Sequence, residues 1–148
     1  MKDELQQCHC NSQNCYCANI KRAEHKITAL YNRYLEQVGI TRGQYALLVH
    51  INEFPCISVS LLAQKMGLER TTLVRSLKPL EERGYILDCA CKGRSRSLTL
   101  SDEGKKVLAR AVVCWQQAQE HIEEILGSKY IEEFHDLISY IINTEFHE

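Results

Sequence analysis

Apolar residues recur at spacings of three and four from Ala18 to Val38, at Ile20, Ala23, Ile27, Leu30, Tyr34 and Val38. That period predicts a long amphipathic helix over 18–38, with Gly39 as its stop. Gln44–Phe54 is apolar nearly all round, which predicts a buried helix closed by Pro55, because the residue before a proline is pushed out of helical geometry. Ser58 is placed to cap a short helix, VSLLAQKM, that Gly67 stops. A second short helix follows from Arg70 to about Glu82, with Gly84 beyond it. Leu73, Val74, Leu77 and Leu80 are its expected inward face. Pro79 has no N–H for the carbonyl of Arg75, so this helix is expected to kink or end early.

After Gly84 the period changes to two. YILDCAC and SLTL read as strands, and KGRSRS between them as a loop with a basic tip. Ser101-Asp102-Glu103-Gly104 then opens a long helix with Val107, Leu108, Ala111, Val112, Trp115, Ala118, Ile122 and Ile125 as its stripe, ended by Gly127. A last helix spans about Lys129–Asn143, with Ile131, Phe134, Leu137, Ile138, Ile141 and Ile142 on one side. Two short helices joined by a tight Gly-containing turn and followed by a basic hairpin make a winged helix-turn-helix. The expected fold is therefore mainly α with a small β-wing. We read 1–148 as a single domain: a cysteine-rich arm over 1–17, a winged helix-turn-helix over 42–100, and dimerisation helices over 18–38 and 104–148. The long helices have more apolar face than one small domain can cover, so a homodimer is expected.

Charge sharpens the picture only when read by segment. The chain of 148 residues has a net charge of −1, which by itself argues against a nucleic-acid partner. Yet residues 65–96 carry 8 Lys/Arg against 4 Asp/Glu, while residues 97–148 carry 4 against 10. A basic centre is hidden beneath an acidic final third. No apolar run is long enough for a membrane span and no signal peptide is visible, so the expected location is cytoplasmic. Arg70, Thr71, Thr72, Arg75, Ser76 and Lys78 on the second short helix are the expected contacts to double-stranded DNA. Arg75 is suited to a guanine edge and the hydroxyls to phosphates. Lys92, Arg94 and Arg96 in the loop are the expected groove or phosphate contacts.

The run SLLAQKMGLERTTLVRSLKPLEERGYI and the later KGRSRSLTLSDEGKKVL resemble, over nearly the whole chain, MarR-family transcriptional regulators. The resemblance is to a subset with R-T-T-L, then L-x-P-L-E, and a C-x-C before the first helix. It implies a two-fold dimer on a pseudo-palindromic operator, most often as a repressor. One departure stands out: family wings carry an Asp-x-Arg brace, and here Lys92-Gly93-Arg94 replaces the acid.

Eight cysteines are many for a chain without an export signal, and in a reducing compartment they are expected as thiols, metal ligands or redox switches rather than disulfides. Similarity to the hydroperoxide-sensing MarR members implies that Cys17 is a reactive thiol with Tyr31 near it, and Tyr45 in RGQY resembles a further tyrosine of those sensors. Cys15, or Cys114 of the other subunit, is then its partner. Helix N-termini favour thiolates, and a thiolate is what peroxide attacks. The rival reading is a metal site for Zn²⁺ or Cu⁺ at Cys8, Cys10, Cys15 and Cys17, with His9 adjacent. C-x-C is a weaker signal for it than C-x-x-C. A small phenolic ligand is the family's other common effector. Cys89 and Cys91 share one strand face, and Cys56 reads as a tolerated small residue. No cofactor is called for. No Gly-rich phosphate loop or nucleophile–base–orienter set is present, which argues against an enzyme, although a thiol peroxidase using Cys17 is the alternative of another class.

Overall fold

The computed structural model describes residues 15–89 and 96–146. Helix α1 spans Tyr16–Leu35 and passes through a 3₁₀ turn, Glu36–Val38, to Gly39. Gly39 sits at φ 73°, a left-handed position that suits glycine. Helix α2 covers Arg42–Glu53, two residues earlier than the apolar pattern begins. The reason is a capping box: Thr41 accepts from the Gln44 N–H, and the Gln44 side chain accepts from the Thr41 N–H. This helix is buried along Leu47, Leu48 and Ile51 but only half-buried at Tyr45, Val49 and His50, so it is one-sided rather than buried all round.

A two-residue strand that the alternation does not predict, β1 (Ile57–Ser58), leads into helix α3 (Val59–Met66). Ser58 caps α3 by accepting from the Leu61 N–H, and Gly67 closes it at φ 62°. Helix α4 (Arg70–Glu82) runs unbroken across Pro79 to the predicted end, so Pro79 does not stop it early. The proline removes one bond near the last turn, where little helix remains to be lost. Strands β2 (Ile86–Asp88) and β3 (Ser97–Leu100) form the wing base, with Leu87 paired to Thr99 and Asp88 to Leu98. β3 also pairs with β1, giving the antiparallel order β1-β3-β2. Helix α5 (Asp102–Leu126) and helix α6 (Ser128–Asn143) complete the chain.

One core joins these elements. Leu35, Leu47, Leu48, Ile51, Leu62, Leu73, Leu77, Leu80 and Leu98 are fully buried in it, and Val107, Leu108 and Ala111 of α5 close one side. Val74 does not join them. It is 42% exposed, because one residue's step of about 100° from Leu73 carries it off the buried stripe. Helix α6 contributes no buried residue at all.

The start of α5 is bolted to the corner that follows α4. The Ser101 N–H donates to the Tyr85 carbonyl (3.0 Å), and the Ser101 hydroxyl donates to the Gly84 carbonyl (2.6 Å) while accepting from the Gly104 N–H (3.0 Å). Gly104 is buried here, and a Cβ on it would stand 2.0 Å from the Tyr85 carbonyl oxygen. Only glycine permits that approach.

The structure corrects the reading of two cysteines. Cys56 is not a tolerated small residue but is joined in a disulfide to Cys89, across 33 positions and with a Cα–Cα distance of 6.0 Å. Cys89, just past the end of β2, therefore pairs outside its own hairpin. Cys91, Lys92 and Arg94 lie outside the described residues, as do Cys8, His9 and Cys10.

Candidate nucleic-acid interface and thiol sites

Helix α4 turns its leucines inward at positions 73, 77 and 80, and this leaves Arg70, Thr71, Thr72, Val74, Arg75 and Lys78 exposed. The predicted residues thus share one solvent face, with Ser76 as a partial exception. Its hydroxyl donates to the Thr72 carbonyl one turn back (3.0 Å), which leaves its oxygen lone pairs but not its proton for an outside partner. Arg70 donates through Nη1 to the Ser60 hydroxyl (3.1 Å), linking the starts of the two short helices. Lys78 lies 3.8 Å from Glu82 in an exposed pair that holds it only weakly. Val74 is apolar and follows the buried Leu73, so residue type alone assigns it to the inward face. Helical phase alone, counted from Leu73 and Leu77, would have found it.

Arg96 stands at the wing base with its guanidinium engaged by Glu81 of α4 and by Asp88 of β2, the latter at 3.4 Å. This answers the missing acid at the wing tip. The bracing acid lies eight residues before the arginine, across the hairpin, and a second acid ties the hairpin to α4. The planar fork of arginine suits such a bridge between two carboxylates.

The sensor-type residues fall into two groups. Cys15 occupies the N-cap of α1 and Cys17 its first turn, both exposed as free thiols. Tyr31 lies fourteen residues after Cys17 on the same helix, about 21 Å away at 1.5 Å per residue. Within one chain, then, that tyrosine is not near the thiol. Tyr31 is instead near Tyr45: the Tyr45 ring stacks on Trp115 with centroids 6.2 Å apart, and the Tyr31 hydroxyl donates to Gln119 Oε1. Burial pushes the pKa of both phenols up. One turn on, the Tyr34 hydroxyl meets His121 Nδ1 at 2.8 Å. These contacts, absent from the sequence reading, lock α1 along α5. Cys114 is 7% exposed within the core. Among the described residues no three His, Cys, Asp or Glu side chains converge as a metal site. Among them, too, no helix is long and apolar enough to cross a membrane. An apolar hollow of about 690 Å³ lies between α1, α5 and α6, lined by Ile27, Leu30, Tyr31, Ile122 and Phe134.

Comparison with known proteins agrees with this geometry. The model of the MarR family matches residues 40–87, from the turn before α2 into β2. An uncharacterised helix-turn-helix regulator of Bacillus subtilis, YybA, is 30% identical over 119 residues, covering 79% of this chain and 77% of that one. Among solved structures, the transcriptional repressor CouR bound to p-coumaroyl-CoA superposes with a TM-score of 0.83 at 20% identity, covering 94% of this chain and all of that one. The Mycobacterium tuberculosis regulator MosR in complex with DNA gives 0.71 at 26% identity, covering 88% and 100%.

Proposed function

The chain belongs to the MarR family, and from that premise we propose a homodimeric repressor whose operator affinity falls when its amino-terminal thiols are oxidised. The observation that carries the DNA-binding part is the exposed face of α4, with three cations and two hydroxyls on a helix whose other side is the fully buried leucine stripe. In the dimer the two α4 helices enter successive major grooves about 34–36 Å apart. Arg75 reaches a guanine edge, Thr71 and Thr72 reach phosphates, and Val74 offers its methyls to a thymine methyl. The wing contributes Lys92 and Arg94 to the adjoining groove, while Arg96 positions the wing.

Regulation uses the connections between elements. Peroxide converts the Cys17 thiolate to a sulfenate, and Cys15, two residues away, condenses with it to a disulfide and releases water. Exposure at the end of α1 favours Cys15 over the buried Cys114 as partner. Closing that bond distorts the first turn of α1. The Tyr31–Gln119 and Tyr34–His121 contacts pass the shift to α5, whose start is bonded to the corner ending α4. Such a relay regulates only if it changes the DNA affinity of one state relative to the other. Peroxide should therefore weaken operator binding at least ~10-fold, about 1.4 kcal/mol of coupling. Electrophoretic mobility shift of reduced and peroxide-treated protein tests this. Cys17→Ser should abolish the response and leave reduced binding intact, and release of DNA by peroxide-treated Cys17→Ser would refute the thiol mechanism.

The family's ligand mode has one observation in its favour, the apolar hollow between α1, α5 and α6. The neighbour CouR is described with p-coumaroyl-CoA bound. Release of DNA by a phenolic ligand, with no effect of peroxide, would make that reading the better one.

A further inference from the structure

The wing base is stapled by a bond that neither the DNA face nor the amino-terminal thiols require. β3 is the middle strand, with β1 on one side and β2 on the other. Cys56 immediately precedes β1 and Cys89 immediately follows β2, so their bond links the two outer strands across the middle one. Cys89 also donates its N–H to the Ser97 carbonyl (2.8 Å), and Val59 donates to the Arg96 carbonyl (3.1 Å) on the other side of β3. The staple thus closes the ladder at the Cys89 end of β2.

A second observation marks Cys56 itself. It is the one non-glycine residue at positive φ (60°) among the described residues, just after Pro55. Left-handed backbone at a residue with a Cβ is strained and persists where the surroundings impose it. Glycine or asparagine would fill this turn more easily, yet the sequence places there a thiol that reaches Cys89. Cys56 is exposed and Cys89 partly so, which leaves the pair open to small oxidants.

We propose that Cys56 and Cys89 form a reversible thiol–disulfide site that sets the order of the wing, separate from the thiols at the start of α1. The chemistry is exchange with a low-molecular-weight disulfide. The thiolate of one cysteine attacks the small disulfide, forms a mixed disulfide and expels one small thiolate. The second cysteine's thiolate then attacks the protein sulfur of that mixed disulfide and expels the other. Two protein thiols are oxidised, one small disulfide is reduced to two thiols, and excess thiol reverses the reaction. In the stapled form β1 and β2 are covalently tied to one another before DNA arrives, so the strands at the base of the wing lose less freedom on binding. In the reduced form the end of β2 keeps its ladder bonds and the Asp88–Arg96 ion pair but loses its covalent link to the start of β1. The proposal rests on the DNA-binding reading for its effect but not for its chemistry. Its sign is opposite to that of peroxide at Cys17.

The test uses full-length protein in which Cys8, Cys10, Cys15 and Cys17 are all serine, so that the arm cannot respond. The protein is equilibrated with reduced and oxidised glutathione at several ratios, blocked with N-ethylmaleimide and digested without reductant. A peptide pair joining Cys56 to Cys89 should appear and grow with the oxidised fraction. DNA affinity of this background should rise at least threefold from the reduced to the oxidised state. Cys89→Ser should abolish that rise while keeping reduced-state affinity within twofold, and Cys56→Asn, which suits the left-handed turn, should behave the same way. Absence of the linked pair at every ratio would overturn the proposal. So would a rise in affinity that persists in Cys89→Ser, or a linked pair that leaves affinity unchanged. Formation of the linked pair in a protein with no salt-dependent DNA binding in either state would instead refute the DNA-binding reading and remove the wing's role with it.

Discussion

Gly104 lacks a Cβ where the Tyr85 carbonyl oxygen occupies the space one would need, and a backbone oxygen cannot swing aside as a flexible side chain can. Gly104→Ala should therefore force α5 away from the corner after α4, at a cost of about 1–3 kcal/mol as in other overpacked sites. Thermal unfolding should show a midpoint several degrees lower, whereas Gly43→Ala, whose Cβ would meet only the Thr41 hydroxyl oxygen at an ordinary contact distance of 3.9 Å, should leave it nearly unchanged. On α4 the single residues divide by chemistry. Arg75→Ala should relax base preference at one position of each half-site, since the base-edge contact proposed for it would be worth about 1–3 kcal/mol. Arg94→Ala should weaken all sequences alike and flatten the salt dependence, as expected of the groove or phosphate charge proposed for it. Titrations at several salt concentrations separate the two. At this scale the sequence was legible wherever a residue acts on its own neighbours, as Ser58, Gly67 and Gly39 do. It was silent where the partner is remote. Nothing in the spacing of Cys56 and Cys89, or of Glu81, Asp88 and Arg96, announces that folding brings them together.

Among elements, the wing depends on a bridge rather than on its own length. β2 and β3 have three and four residues, too few for a free-standing hairpin in water. The Arg96 contacts to Glu81 and Asp88 join this hairpin to α4. Arg96→Ala should leave two carboxylates facing one another and loosen the wing relative to the recognition helix. Amide hydrogen exchange in 97–100 should accelerate, and DNA affinity should fall for every sequence while Arg75-dependent base preference survives. Arg96→Lys should restore little, because an ammonium lacks the planar fork that serves two acids at once. If Arg96→Ala left both exchange and affinity unchanged, the arginine would be a solvated surface charge. The helices themselves followed from period and caps, and their ends shifted by two residues where the capping box at Thr41 and the N-cap at Cys15 start them early. The strands were less legible. A two-residue β1 exists only because β3 offers it a partner, and no local pattern marks it.

For the molecule as a whole, α6 is the element a single chain leaves unfinished. It buries none of its residues, and Leu137, Tyr140 and Ile142 are 58%, 73% and 74% exposed. Patches of that kind mark an interface, and in a two-fold dimer α1, α5 and α6 can bury about 2,000 Å² or more. Light scattering at micromolar concentration should give twice the 17.1 kDa chain mass, and a monodisperse monomer would remove the basis for paired reading heads. The segment-wise charge fits this layout, since the acidic final third forms α5 and α6, away from the basic α4. That division was readable from the chain, but the pairing of Glu81 and Asp88 with Arg96 inside the basic segment was not. The central claim is that two α4 helices, fixed in one dimer, read two half-sites. Repeated selection of the reduced protein's ligands from randomised duplex DNA tests it most directly. The account predicts enrichment of an inverted repeat whose half-site centres lie about 10 bp apart, and recovery of unenriched sequence, or of a single half-site without its symmetric partner, would contradict it.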